Sequence, residues 1–228
     1  LQVMLDPADC GPATISLSQD VQGEVFDYPE IFFEEKIHII RRIHPDPRQL
    51  NEAAEKLKLS KQPIIIAGGG ILYSEAEKEL SDFAKKHNIP VTPTVMGIGC
   101  MTKDDPYYIG AIGCLGEGSS NSLSKDTDLA LAIGTKLGDF TTGSWSNFQN
   151  ENFKLVSINT ARFDVTKHLA TPVISDAKIG LLELSKALGD WRAPNNWYER
   201  SIDEKKKWDS YVEKQSGPTN QELPSYAH

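Results

Sequence analysis

The sequence predicts an α/β fold built on a doubly wound, mainly parallel sheet, and three observations carry that prediction. First, Pro63-Ile64-Ile65-Ile66-Ala67 holds three consecutive β-branched residues and reads as a short strand buried on both faces. Second, Gly68-Gly69-Gly70 follows directly, so the backbone can turn tightly into a helix for which Ser74 is the expected cap. Third, comparable apolar runs recur along the chain with helical stripes between them. Strands alternating with helices in this way imply parallel pairing.

Taken in order, Gly11-Pro12 precedes a short strand over Ala13-Thr14-Ile15-Ser16-Leu17, and an extended segment bearing Phe26, Tyr28, Phe32 and Phe33 comes next. A single strand cannot make a core, so this region should pack on something else. Arg41 to Pro47 reads as a linker stiffened by Pro45 and Pro47, and the domain is placed from Pro47. Leu50, Ala53, Ala54 and Leu57 recur at helical spacing, and the glycine-turn strand follows. Ala76, Leu80, Phe83 and Ala84 form the stripe of a crossover helix. Ile89 to Thr94 is the next strand, kept short or at an edge by Pro90 and Pro93.

The glycine-rich stretch from Gly97 to Gly118 reads as a long irregular connection, with Ser119 or Ser120 capping a short helix that runs to Lys125. Leu129 to Gly134, Phe153 to Ile158 and Pro172 to Ser175 supply three further strands. Ile179, Leu181, Leu182, Leu184 and Leu188 fill a closing helix, and a second helix is expected from Asn195 to Lys214, with Lys205-Lys206-Lys207 on a solvated face. Gln215 onward reads as a linker, broken at Ser216-Gly217-Pro218.

Composition narrows the function classes. Across 228 residues, 32 acidic side chains outweigh 24 basic ones, so nucleic acid and anionic membranes are not expected partners. No apolar run reaches membrane-spanning length and no signal sequence opens the chain, so a cytoplasmic location is the expectation. Cys10, Cys100 and Cys114 stand far apart without a Cys-x-x-Cys pair, which favours reduced, structural thiols. The chain starts at Leu1 and trails off after Leu223, so it is expected to be a piece of something longer.

The motifs are sparse in chemistry. A dinucleotide fingerprint needs a third glycine three residues after the second, but Tyr73 stands at that position after Gly68 and Gly70. The five histidines show no i, i+4 pairing and no nucleophile elbow occurs, so no catalytic residue and no metal ligand is assigned. Asp139 and Asp164 sit near strand ends, where turn and capping roles compete with general-base duty. Glu117 beside a helix start would repel phosphate. A strand-end pocket formed by Gly68, Gly69, Gly70, Gly134, Thr135 and Asn159 is the one candidate site, since open α/β sheets bind ligands at the carboxyl ends of their strands. Tight turns account for the same glycines.

The order of these segments resembles a known family. Gly11 to Gln22 is similar to the end of the pyrimidine-binding domain of thiamine diphosphate-dependent enzymes, Ile64 to Ser74 to the opening of their central domain, and Leu223 to Ala227 to the start of their pyrophosphate-binding domain. The resemblance implies a Rossmann-like central domain over 47–192. Residues 1–46 would end the preceding domain and form a linker, and 193–228 would form a C-terminal helix and a second linker. Gln22 to Tyr28, Ala67 to Gly70 with Tyr73 to Ala76, Gly134-Thr135 with Asp139 to Thr142, and Ile158-Asn159 with Phe163-Asp164 look most like members that open a cyclic dione by C–C hydrolysis in myo-inositol breakdown. Departures from that pattern are Gly97-Ile98-Gly99 and the residues before Asn121.

The resemblance further implies that thiamine diphosphate and Mg²⁺ are held by the flanking domains. Gly138-Asp139-Phe140 and Gly189-Asp190-Trp191 are not the family's Gly-Asp-Gly metal motif, and no cofactor is expected within this span. Members that hold FAD or ADP here carry an acid where Asn159 stands. An alternative from the fold is a nucleotide-binding regulatory module for ADP, FAD or NAD; within the resemblance, the alternative is the central domain of an acetolactate synthase-like enzyme. The expected partners are other domains of the same chain, within a homodimer or homotetramer. Residues 1–46 are expected to wrap the domain.

Overall fold

The fold was described from a computed structural model, which describes residues 1–217. The expected break at Pro218 and the segment Leu223 to Ala227 lie outside the described residues. The chain divides into two compact units, the first being Leu1–Arg42 and the second starting at Ile43.

In the first unit a single helical turn, α1 (Gln2–Leu5), precedes a bend in which Asp6 accepts from the Ala8 amide at 2.8 Å and from the Arg41 guanidinium at 2.9 Å. The expected strand over Ala13–Leu17 does not form, and Ile15 and Leu17 stay exposed. No neighbouring strand completes a ladder there, and an isolated extended segment gains nothing from strand geometry. Tyr28 lies 4.8 Å from Phe32 and 5.4 Å from Phe26, ring centre to ring centre, so the aromatics gather on one another and remain exposed.

In the second unit, α2 (Pro47–Leu59) starts with proline at its first position, where the missing N–H costs nothing, and the Asp46 carboxylate accepts from Arg48 and Gln49. Strand β1 (Pro63–Ala67) follows, buried at every position. The chain leaves it through one turn, α3 (Gly70–Tyr73), and Glu75 at φ 52° breaks that turn before α4 (Glu77–His87) begins. Ser74 therefore caps no helix start; its amide closes α3 by donating to the Gly70 carbonyl, and its hydroxyl donates to Asp176 at 2.8 Å. Asn88, in the left-handed conformation at φ 59°, ends α4, and β2 (Val91–Pro93) forms the short edge strand that its prolines require.

The long connection leads to α5 (Gly118–Asp126), with Glu117 rather than a serine at its N-cap position. Ser119 and Ser120 lie inside the helix, where their buried hydroxyls donate to the Ile109 and Ala111 carbonyls. Next come β3 (Leu129–Ile133), the short α6 (Asp139–Thr142), β4 (Lys154–Asn159), the short α7 (Arg162–Val165), β5 (Thr171–Ile174), α8 (Ala177–Leu188) and α9 (Asn195–Ser216). The Asp176 carboxylate caps α8 by accepting from the Ile179 amide.

All strand pairs are parallel, in the order β2-β1-β3-β4-β5. Alternation along β1 then decides the layers. Ile65 and Ala67 pack with Leu57 of α2, Phe83 of α4 and Leu184 of α8, whereas Ile64 and Ile66 pack with Leu123 of α5 and Trp197 of α9. Helices thus cover both faces, as the apolar run predicts. Each fully buried isoleucine contributes on the order of 1.5–3 kcal/mol of transfer free energy.

Candidate functional site

From β1 the chain runs outward to β2, then crosses back over β1 to reach β3, so the strand order reverses between β1 and β3. Ligands of open α/β sheets settle beyond the carboxyl ends of the strands at such a reversal. Gly68, Gly69 and Gly70 leave β1 there, Gly134 and Thr135 leave β3, and Asn159 ends β4. The structure brings all six to one end of the sheet.

What they make is a close joint between loops. The Gly68 amide donates to Ile133 at 2.8 Å, Gly70 donates to the Gly134 carbonyl at 3.0 Å, and Gly134 donates to Ile158 at 2.9 Å. A Cβ at Gly68 would lie 2.2 Å from the Gly134 oxygen, and one at Gly134 would lie 2.5 Å from the Gly70 Cα. Gly134 also sits at φ +59°, where glycine alone is unstrained. Asn159 braces the same loops, since its side-chain amide donates to the Thr135 carbonyl at 3.1 Å while its Oδ1 accepts from the Ala161 amide at 3.0 Å.

The reactive-looking groups nearby are tied down. Asp139 accepts from the Ser144 hydroxyl at 3.0 Å, and Asp164 pairs with Lys167 one helical turn on, which fits the turn roles weighed for them. Burial pushes the Cys100 thiol up to about 12, so it stays protonated at neutral pH. Burial, and then the Glu117 carboxylate that accepts from its hydroxyl, raise the Tyr108 phenol. Glu117 also faces Lys205 of α9 at 3.6 Å, and Lys207 pairs with Glu204 at 2.7 Å, so Lys205 and Lys207 of the lysine run are ion-pair partners and not purely solvated charges.

Asn121, noted in the sequence only as part of the family pattern, proves to be a structural brace. Its Oδ1 accepts from the Gly113 amide at 3.0 Å, its Nδ2 donates to the Gly113 carbonyl at 2.9 Å, and Asn147 donates to it in turn. The signal was present as an asparagine eight residues beyond a glycine. Local spacing does not reveal such a loop-to-helix bond.

A polar recess of about 460 Å³ lies at the opposite end of the sheet, where Gln62 precedes β1 and Asp128 precedes β3. The Asp128 carboxylate there accepts from the Lys61 amide at 2.8 Å and the Gln62 amide at 3.0 Å, and Arg200 pairs with Asp126. These groups hold loops together and present no reactive pair. Among the described residues, no three His, Cys, Asp or Glu side chains converge to hold a metal ion, and no helix is long and apolar enough to cross a membrane.

Comparison with known proteins gives a family context. The family model for the thiamine pyrophosphate enzyme central domain matches residues 50–184. A 3D-(3,5/4)-trihydroxycyclohexane-1,2-dione hydrolase of Clostridium tetani is 39% identical over 209 residues, covering 92% of this chain and 32% of the relative. The protein of the same name from Bacillus cereus strain AH820 is 39% identical over 210 residues, with 92% and 33% covered. The chain spans about a third of the length of the curated relatives it matches.

Proposed function

The chain belongs to the thiamine pyrophosphate enzyme central-domain family, and on that premise we propose that it is the non-catalytic central domain of a thiamine diphosphate-dependent hydrolase. The substrate we assign to the longer protein is 3D-(3,5/4)-trihydroxycyclohexane-1,2-dione, opened by C–C bond hydrolysis in myo-inositol degradation. The identity to hydrolases of that name, 39% across 92% of this chain, is the observation that carries the reading.

The residues present do not fit the cofactor and its Mg²⁺. Asp139 is engaged by Ser144, and no metal donor set assembles among the described residues, so no catalytic step is assigned to them. Residues 47–192 are the central domain in this reading, 1–46 lead into it, and 193–228 lead out. Thiamine diphosphate and Mg²⁺ belong to the flanking domains of a cytoplasmic homodimer or homotetramer. The strand-end residues Gly68, Gly69, Gly70, Gly134, Thr135 and Asn159 act as a joint in place of a nucleotide cradle, because the Gly68 and Gly70 amides and both ends of the Asn159 side chain are spent on neighbours. Calorimetric titration with ADP, FAD and NAD is expected to give no heat of binding.

The substrate assignment is tested by supplying the longer protein with the cyclic dione and, separately, with pyruvate. Ring opening of the dione is the expected outcome. Condensation of pyruvate with no action on the dione would place the protein with the acetolactate synthase-like enzymes instead.

A further inference from the structure

The glycine joint closes the carboxyl end of the sheet, but the amino end is open. There the polar recess of about 460 Å³ lies between the lead-ins to β1 and β3, the loop before β4 and the first turn of α9. A neighbouring recess of about 540 Å³ shares Gln62, Asn150 and Arg200 with it. Small-molecule sites have volumes of about 300–1,000 Å³ and are mostly apolar. A lining of amides and charges calls instead for a hydrophilic ligand.

The walls are fixed before any ligand arrives, which lowers the ordering cost of binding. Both oxygens of Asp128 are engaged, by the Ser60 hydroxyl and by the Lys61 and Gln62 amides. Asn150 donates to the Asp126 carbonyl at 2.8 Å and accepts from the Asn152 amide at 2.9 Å, and the Trp197 indole holds α9 to Pro63. Other groups of the lining are unspent. Among the described residues Lys61 and Lys125 join no ion pair, and the side-chain amides of Gln62, Asn152 and Asn196 bond to no protein group. Three cations, Lys61, Lys125 and Arg200, stand against two carboxylates, Asp126 and Asp128, on a chain whose formal net charge is −8. Arg200 is paired with Asp126, and no acid stands in the first turn of α9 to repel an anion.

We propose that this amino-end recess binds a phosphorylated polyol. Lys61 takes the phosphoryl group through charge-assisted hydrogen bonds, and the surplus positive charge of the lining favours the dianion. The hydroxyls fall to Gln62, Asn152 and Asn196, because a side-chain amide offers both a donor and an acceptor, as a hydroxyl does. A nucleotide does not fit this lining. Trp197 is its one aromatic residue and is only 2% exposed, so an adenine ring finds no face to stack on. The proposal goes beyond the hydrolase reading and does not depend on it.

Calorimetric titration of the 228-residue chain with glucitol 6-phosphate, inorganic phosphate and glucitol tests this. The ester should bind with a Kd of about 1 mM or tighter, and phosphate and glucitol each about tenfold or more weakly than the ester. Lys61→Gln should weaken the ester about tenfold, whereas Lys61→Arg should stay within about threefold of the native chain. Lys85→Gln, at an exposed position of α4 outside the recess, removes the same charge and should leave the affinity unchanged. The double variant Asn152→Ala, Asn196→Ala should bring the ester down to the affinity of inorganic phosphate. All these side chains are exposed, so the unfolding temperature should hold in every variant. No heat from the ester at about 10 mM would overturn the proposal. So would phosphate binding as tightly as the ester, which would mark an adventitious ion only, or glucitol binding as tightly. A loss with Lys61→Gln no greater than with Lys85→Gln, or selectivity that survives the asparagine pair, would overturn it equally.

Discussion

The amide of Gly70 donates to the carbonyl of Gly134 across 3.0 Å, and this bond closes the point at which the strand order reverses. Two loops that a ligand would separate are held backbone to backbone. Because a Cβ at Gly134 would meet the Gly70 Cα at 2.5 Å, and because φ there is +59°, Gly134→Ala must push the loops apart and strain its own backbone. We expect a loss of about 1–3 kcal/mol in urea unfolding with an unchanged slope. A cost near zero would show that the joint is slack.

His87 is buried against α8, with Nδ1 bonded to the Trp191 carbonyl at 2.7 Å and Nε2 2.9 Å from the Ser185 hydroxyl. Burial lowers its pKa, and the nearby Lys86 and Arg192 charges push the same way against the Trp191 bond. The folded state therefore resists a proton that the unfolded chain accepts at its ordinary value of 6.5. Linkage makes the contribution of this group complete above that value and progressively lost as pH falls below it. The unfolding temperature should fall between about pH 7 and about pH 5, and His87→Gln should flatten that dependence while lowering stability at neutral pH. An identical slope in the variant would remove His87 as the cause.

Trp197 ties α9 to the sheet, since its indole N–H donates to the Pro63 carbonyl at 2.8 Å from a fully packed position. Trp197→Phe keeps most of the ring but strands that carbonyl, at a cost of about 1–3 kcal/mol, whereas Trp197→Ala adds a cavity and should cost about 3–5 kcal/mol. Chemical denaturation monitored by circular dichroism separates the two. Equal costs would mean that the hydrogen bond contributes nothing.

The sheet was legible because burial on both faces leaves a plain trace. Ile64-Ile65-Ile66 and Leu129-Ala130-Leu131-Ala132 have no polar alternation, and both became central strands. The helix starts were less so. Ser74, Ser119 and Ser120 have the right chemistry for caps, yet each is buried and bonds to a distant group that only the tertiary fold brings near. Asp46 and Asp176 cap instead, because they sit where the chain leaves extended geometry. In the candidate site the glycines were legible as turns, but their mutual contact was not. The 3.0 Å bond from the Gly70 amide to the Gly134 carbonyl joins positions far apart in the chain, and no local pattern encodes it.

The first unit carries its own test. Phe26, Tyr28, Phe32 and Phe33 cluster within residues 1–42, and the core of the second unit is complete without them. Deleting residues 1–42 should leave a cooperatively folding domain, seen as a single unfolding transition. Loss of that transition would show that the second unit depends on the segment.

The central claim is that this chain is a scaffold domain whose catalytic machinery lies elsewhere in a longer enzyme. The measurement that tests it most directly is turnover of the cyclic dione by the purified 228-residue chain supplied with thiamine diphosphate and Mg²⁺, run beside the longer protein. We predict ring opening by the longer protein and none by the chain alone. Turnover by the isolated chain would contradict the account.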